Sequence, residues 1–291
     1  MRDVFPTDVL AGESITIERS DASVDDRGAR WFHDWRRSDG EPLMAAARME
    51  DGSFLLRAID LADCVIDQSG TRVTVFVPSG RPADGVHHLL LDQVLPLVLS
   101  HRGEFVLHAT GVVLPAGAVV FAADAGSGKS TLVAALGGRG AHVLGDDAVL
   151  LAASGPGTTA RAAYPGLRLW PDALRAVFGE AGLKAGRSKR RLGPDTAGLT
   201  FAAGAWPVAA IYQLEPAGPR EPVRIEPLSP REGAMALVRH AYIFDICDRG
   251  RLRRQLDRAI DCGRRTRVRR LVFPHALGRL GEVCAAVLGD V

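Results

Sequence analysis

Ala123-Asp-Ala-Gly-Ser-Gly-Lys-Ser130 is the stretch whose residue types carry the most chemistry. Gly126 and Gly128 give the backbone the freedom to turn successive amides toward one point, and a phosphate suits that point. Gly126, Ser127, Gly128, Lys129, Ser130 and Thr131 are therefore the binding candidates. Lys129, expected in an exposed loop, would reach terminal phosphates, Ser130 would offer its hydroxyl to Mg²⁺, and a helix starting here would add its positive end. Ala123 stands where the full pattern has its first glycine. The plainer alternative is a helix-capping turn with a solvated lysine.

Gly145-Asp146-Asp147 lies between the apolar runs Ala141–Leu144 and Ala148–Leu151. Two adjacent carboxylates suit metal and base work, and a pair set between apolar runs needs partners. Adjacent strand residues point to opposite sides, so one aspartate would face a nucleotide and the other something else. Asp146 joins Ser130 as the metal candidate. His108 sits in the apolar segment Val106–Gly111, where a lone histidine reads as a core residue. Arg168 emerges from the apolar strand Leu167–Trp170 and must find an acid or a phosphate. Lys184, Arg187, Lys189, Arg190 and Arg191 crowd one stretch without an acid, which suits transition-state charge, an acidic peptide, or a solvated mobile loop.

Positioning these groups takes a strand at Gly117–Ala122, a helix from Ser130 to about Leu136, a turn at Gly137–Gly140 and a strand delivering the aspartates. Pro171 and Asp172 start a helix to Phe178. Strands are expected at Ala205–Tyr212 and Val223–Glu226, a helix at Pro230–Val238, and a strand edge with arginine stems lying along it at Arg264–Arg270. Residues 1–85 alternate short apolar stretches with turns and predict a small β-rich N-terminal domain, with Trp31 and Trp35 on a helix that packs both inward. The breaker-rich loop Pro78–Gly85 is the expected boundary, and 86–291 the larger domain. His87–Leu99 predicts a buried apolar helix, kinked or split at Pro96.

His108-Ala-Thr-Gly111, Gly126-Ser-Gly-Lys-Ser130 and Asp146-Asp147, in this order and at these separations, resemble the catalytic domain of the HPr kinase family. The resemblance is best from Phe105 to Trp170. Tyr164–Pro171 looks most like the HPr-kinase-like proteins encoded with ribosomally made peptides such as lasso peptides. It implies an α/β fold with a P-loop kinase core of the HPr kinase and PEP carboxykinase type, ATP and Mg²⁺ as cofactors, and phosphorylation of a serine hydroxyl on a protein or precursor peptide. It makes Asp147 the general base, gives Lys129 and Ser130 the phosphates and Mg²⁺, and places His108 and Arg168 in the active site. Taking Arg168 as the family's arginine, the family's metal-binding glutamate falls on Gly166. The family's Pro-Gly-Arg-Asn segment does not occur, so phosphate removal is not carried over.

The 291 residues, 47% hydrophobic and 24% charged, suit a globular protein with a real core. A net charge of +2 argues against a nucleic-acid partner. No run approaches the roughly 20 apolar residues of a membrane helix, and the N-terminus lacks a signal peptide's apolar core, so the reading is cytoplasmic with no membrane. Cys64, Cys247, Cys262 and Cys284 are scattered and read as thiols. A homo-oligomer is left open. Two other functions stand beside the kinase: a non-catalytic ATP-sensing module and a kinase for a small-molecule hydroxyl.

Overall fold

The computed structural model describes residues 14–36, 39–81, 83–179, 188–194, 196 and 198–291. The chain forms two compact units, Met1–Glu104 with Ile243–Arg253, and Phe105–Tyr242 with Arg254–Val291. Among the described residues no helix is long and apolar enough to cross a membrane.

In the first unit β1 (Thr16–Ser20), β2 (Arg30–Arg36), β3 (Pro42–Arg48), β4 (Phe54–Ala58), β5 (Ala62–Ile66) and β6 (Arg72–Phe76) form one sheet in the order β1-β6-β5-β4-β3-β2. The alternation in β5 and β6 buries Cys64, Ile66, Val73 and Val75 on one face. Trp31 and Trp35 lie on β2, not on a helix. Aromatic side chains favour a pleated surface, and Trp31 stays 45% exposed, with the Arg57 guanidinium 5.2 Å from its ring centre.

The apolar stretch after Gly85 is helical and split as expected, into α1 (Ala83–Leu89), a π-helical turn Leu90–Val94, and α2 (Leu95–His101) with Pro96 in its first turn. A proline lacks the N–H that a helix interior uses, so it is tolerated where a new segment starts. The helices belong to the first unit, so the division falls at Glu104 and not at the expected 85. Two sets of contacts explain this. The His101 ring bonds the Gln68 carbonyl at 2.8 Å, and Phe54 packs edge-on against His101 and Phe244 at 4.9 and 4.7 Å. Arg48 pairs with buried Asp245 at 2.6 Å.

The second unit runs through β7 (Phe105–Leu107), β8 (Ala109–Leu114), β9 (Gly117–Ala122), α3 (Lys129–Gly137), β10 (His142–Gly145), β11 (Val149–Ser154), β12 (Gly157–Ala162), β13 (Leu167–Leu169) and α4 (Pro171–Phe178). It continues with β14 (Arg190–Leu192), β15 (Thr200–Phe201), β16 (Trp206–Ala217), β17 (Arg224–Pro227), α5 (Pro230–Arg239), the part of α6 (Arg249–Arg265) from Arg254 on, β18 (Val268–Pro274) and α7 (Leu280–Asp290). A ten-stranded sheet has the order β15-β10-β8-β9-β16-β12-β11-β7, with β18 beside β16 and β17 beyond it. β9, β16 and β18 are mutually parallel, and β8 runs antiparallel to both β9 and β10. β10, β9, β16 and β18 therefore all end on one edge. The fold is mixed α/β with several sheets.

Alternate residues of β9 enter two cores. Val119 and Phe121 join Leu132 and Leu136 of α3 and Val287 of α7, whereas Val120 and Ala122 join Leu237 of α5 and Ala259 of α6. A strand covered on both faces reads as an unbroken apolar run, as Gly117–Ala122 does. The arginine-rich segment near the end is not a sheet edge, because β18 pairs with β16 on one side and β17 on the other. Its charges are matched locally: Arg269 to Asp290 at 2.6 Å, Arg270 to Glu215 at 3.3 Å. Arg190 and Arg191 form β14, paired with β13, where a mobile loop was one expectation. Lys184 and Arg187 lie outside the described residues.

Gly145 closes β10 and hands the chain to Asp146. A Cβ at Gly145 would lie 2.5 Å from the Ala162 Cβ and 3.0 Å from the Tyr164 carbonyl oxygen, neither of which can swing away. Thr110 also donates to the Gly145 carbonyl at 2.7 Å, holding the strand end in place. Gly145→Ala is expected to cost about 1–3 kcal/mol of unfolding free energy through overpacking. Urea denaturation checks it, and wild-type stability in the variant would contradict the close approach.

Candidate active site

β9 stops at Ala122 and α3 starts at Lys129, so the intervening residues must reverse direction in a short loop. Gly126 and Gly128 do this with φ of +83° and +85°, values that side chains with a Cβ rarely adopt. Lys129 is not exposed as expected but buried, at 5% exposure. Its ammonium folds back to donate to the carbonyls of Ala123 at 2.7 Å and Asp124 at 3.1 Å. Burial lowers its pKa, against the pull of Asp146 and Asp147.

The two aspartates face different partners, for a reason the strand pattern only half supplies. β10 has ended, and Asp147 takes a left-handed φ of 61°, which aspartate tolerates better than most residues. Asp146 points inward, 1% exposed, accepting from the Ser130 hydroxyl at 3.0 Å and from the Arg168 backbone N–H at 2.9 Å. Burial holds its pKa up at about 6, and the charge of Asp147 adds to this. Asp147 points the other way, its carboxylate 3.5 Å from His108 Nε2. His108 is thus not a core histidine. Its backbone N–H donates to the His240 carbonyl at 2.7 Å, between β7 and β8.

One cavity of about 350 Å³ is lined by His108, the loop from Ala125 through Leu132, Asp147, Arg168, Lys189 and residues 273–277. The sequence candidates Gly126, Ser127, Gly128, Lys129, Ser130, Thr131, His108, Asp147 and Arg168 are therefore brought together, and Asp146 sits behind them as a brace to Ser130. Among the described residues of the basic stretch, Lys189 lines this cavity, and its ammonium lies 5.8 Å from the Trp170 ring centre. Sequence reading missed Tyr242, whose hydroxyl donates to the Asp147 carbonyl at 3.1 Å, and the pair Arg239 and His240 beside Asp124. These residues are remote in sequence and belong to no motif.

The Ser130 hydroxyl and the Asp146 carboxylate are hard oxygen donors already in contact, the type that suits Mg²⁺. Among the described residues no group of three or more His, Cys, Asp or Glu converges. The pair would hold the ion together with phosphate and water oxygens.

No family model matches the chain, and no curated protein matches it. Among solved structures, the HPr(Ser) kinase/phosphatase from Coxiella burnetii is similar to it with a TM-score of 0.35 and 18% identity, over 64% of this chain and 96% of that one.

Asp124, from the loop, lies 3.1 Å from the Arg239 guanidinium and 3.8 Å from His240 Nδ1. The His240 side chain is buried, and burial drives its pKa down to about 4. Asp124 opposes that shift, while Lys129 and His108 reinforce it. In the unfolded chain a histidine takes its proton near pH 6.5, whereas the folded protein refuses it until about pH 4. The group costs nothing above pH 6.5, and the fold loses stability as pH falls from there toward 4. Between neutral pH and pH 4 the wild type is expected to lose up to about 3 kcal/mol more than His240→Gln, as read from denaturation curves. Equal pH slopes would contradict a buried neutral imidazole.

Proposed function

We propose that this chain is an ATP-dependent kinase of the HPr kinase type, a P-loop core with a β-rich N-terminal region, that phosphorylates a serine hydroxyl on a protein or ribosomally made peptide. One observation carries this reading: Asp147 and His108 face into the same cavity as the glycine loop, while Asp146 braces Ser130 from behind. A structural turn would need neither the split carboxylates nor the shared cavity.

The loop amides and Lys129 hold the phosphates, and the positive end of α3 adds to their pull. Ser130 and Asp146 would hold Mg²⁺, which when bound would supply charge neutralisation. The acceptor hydroxyl attacks the γ-phosphorus while Asp147 takes its proton; the new O–P bond forms as the bond to the β-phosphate oxygen breaks, and ADP leaves. His108 orients the Asp147 carboxylate. Arg168 and Lys189 line the space where charge develops and offset it.

Lys129→Ala should abolish ATP binding in equilibrium dialysis, because the loop loses its one cation; unchanged affinity would make the loop purely structural.

Asp147→Asn should keep ATP affinity and lower phosphoryl transfer to candidate peptides, followed by mass spectrometry, by about 10²- to 10⁴-fold. Inactivity of Asp146→Asn alongside full activity of Asp147→Asn would reverse the assignment of the pair. ATP bound by the wild type without transfer to any hydroxyl would favour the sensing module, for which Gly166 in the place of the family's glutamate already speaks.

A further inference from the structure

We infer that the nucleobase end of the cavity is the segment leaving β18, residues 273–277, backed by Leu280 of α7. This rests on the nucleotide reading above and adds where the base lies and which way the triphosphate points.

The topology sets the order of groups along the edge. β10 ends in the aspartates, β9 in the glycine loop, and β18, on the far side of β16, in His275. In sheets of this kind ligands lie outside the carboxyl ends of parallel strands. The cavity is chemically graded along that line. By the strand order, Asp147 after β10 and His108 before β8 lie to one side of the loop, and Phe273, Pro274, Ala276 and Leu277, at and after the end of β18, lie to the other and add apolar lining. A triphosphate gains nothing from an apolar wall, and a flat heteroaromatic base gains most from one. The polyphosphate therefore runs from the loop toward Asp147, and the base lies along residues 273–277. His275 lies beside the loop: a Cβ on Gly128 would lie 3.8 Å from its Nε2.

The wall is held rigid before any ligand arrives. The His275 N–H donates to the Ala217 carbonyl at 3.1 Å, and Arg279 donates to the carbonyls of Pro219 at 3.1 Å and Glu221 at 2.8 Å. Leu277 is nonetheless 42% exposed, an apolar surface that a bound base would cover. Preorganisation of this kind lowers the entropic cost of binding.

Calorimetric titration of the full chain with Mg²⁺-ATP and with Mg²⁺-tripolyphosphate separates the base from the phosphates. The test variant is Ala276→Gln with Leu277→Asn, two partly or largely exposed positions where polarity changes and charge does not. The wild type should bind ATP about tenfold more tightly than tripolyphosphate. In the variant ATP should fall to the tripolyphosphate level, with tripolyphosphate affinity changed by less than about twofold and the melting temperature kept. Unchanged ATP affinity in the variant would overturn the placement of the base and leave the nucleotide reading standing. A wild type that binds both ligands equally would mean that no base site exists. Failure of both ligands to bind would overturn the nucleotide reading itself.

Discussion

Asp146 accepts one hydrogen bond from Ser130 on the first turn of α3 and another from the backbone of Arg168 on β13, with almost no water around it. A buried carboxylate left without such partners would cost several kcal/mol, so the three segments that meet at Asp146 are locked in register. The loop before α3, the turn after β10 and the strand carrying Arg168 cannot move independently. That lock fixes the distance between the phosphate-binding candidates on one side and Asp147 on the other. The burial that makes the lock firm also raises the pKa of Asp146, a cost that a bound cation would relieve.

The division of labour between the aspartates follows from one backbone angle. With its left-handed φ, Asp147 leaves the strand direction and turns toward His108, while Tyr242 holds its carbonyl from above. Left-handed backbone at a non-glycine residue costs energy and persists where surrounding contacts over-determine it. Here those contacts come from β8, through Thr110 on Gly145, and from Tyr242, which follows α5. The same segment carries Arg239 and His240 against Asp124, so one short stretch of chain supports both the loop and the base candidate.

Much of this was legible in the sequence because the glycine loop, its flanking apolar runs and the Asp-Asp turn are local signals. β9, α3, β10 and α4 fall where apolar runs and breakers place them. Tryptophans four apart suit a helix stripe as well as a strand face, and only pairing with β3 makes Trp31 and Trp35 part of a strand. α6 was not anticipated because arginines dominate it, and its buried Gln255, Ala259 and Cys262 form a thin stripe. Lys129 looked exposed because composition cannot tell a loop lysine that folds back from one that points outward. His240, Tyr242 and residues 273–277 lie far along the chain from the loop, and three-dimensional packing alone brings the first two against Asp124 and Asp147 and the last to the cavity.

A structure of the chain with Mg²⁺ and a non-hydrolysable ATP analogue tests the central claim most directly. The expected result has the β- and γ-phosphates on the amides of residues 126–131 and the Lys129 ammonium, with the terminal phosphorus facing the Asp147 carboxylate across a gap wide enough for a hydroxyl. A triphosphate bound elsewhere, or one whose terminal phosphate turns away from Asp147, would contradict the assignment of this cavity as a phosphoryl-transfer site.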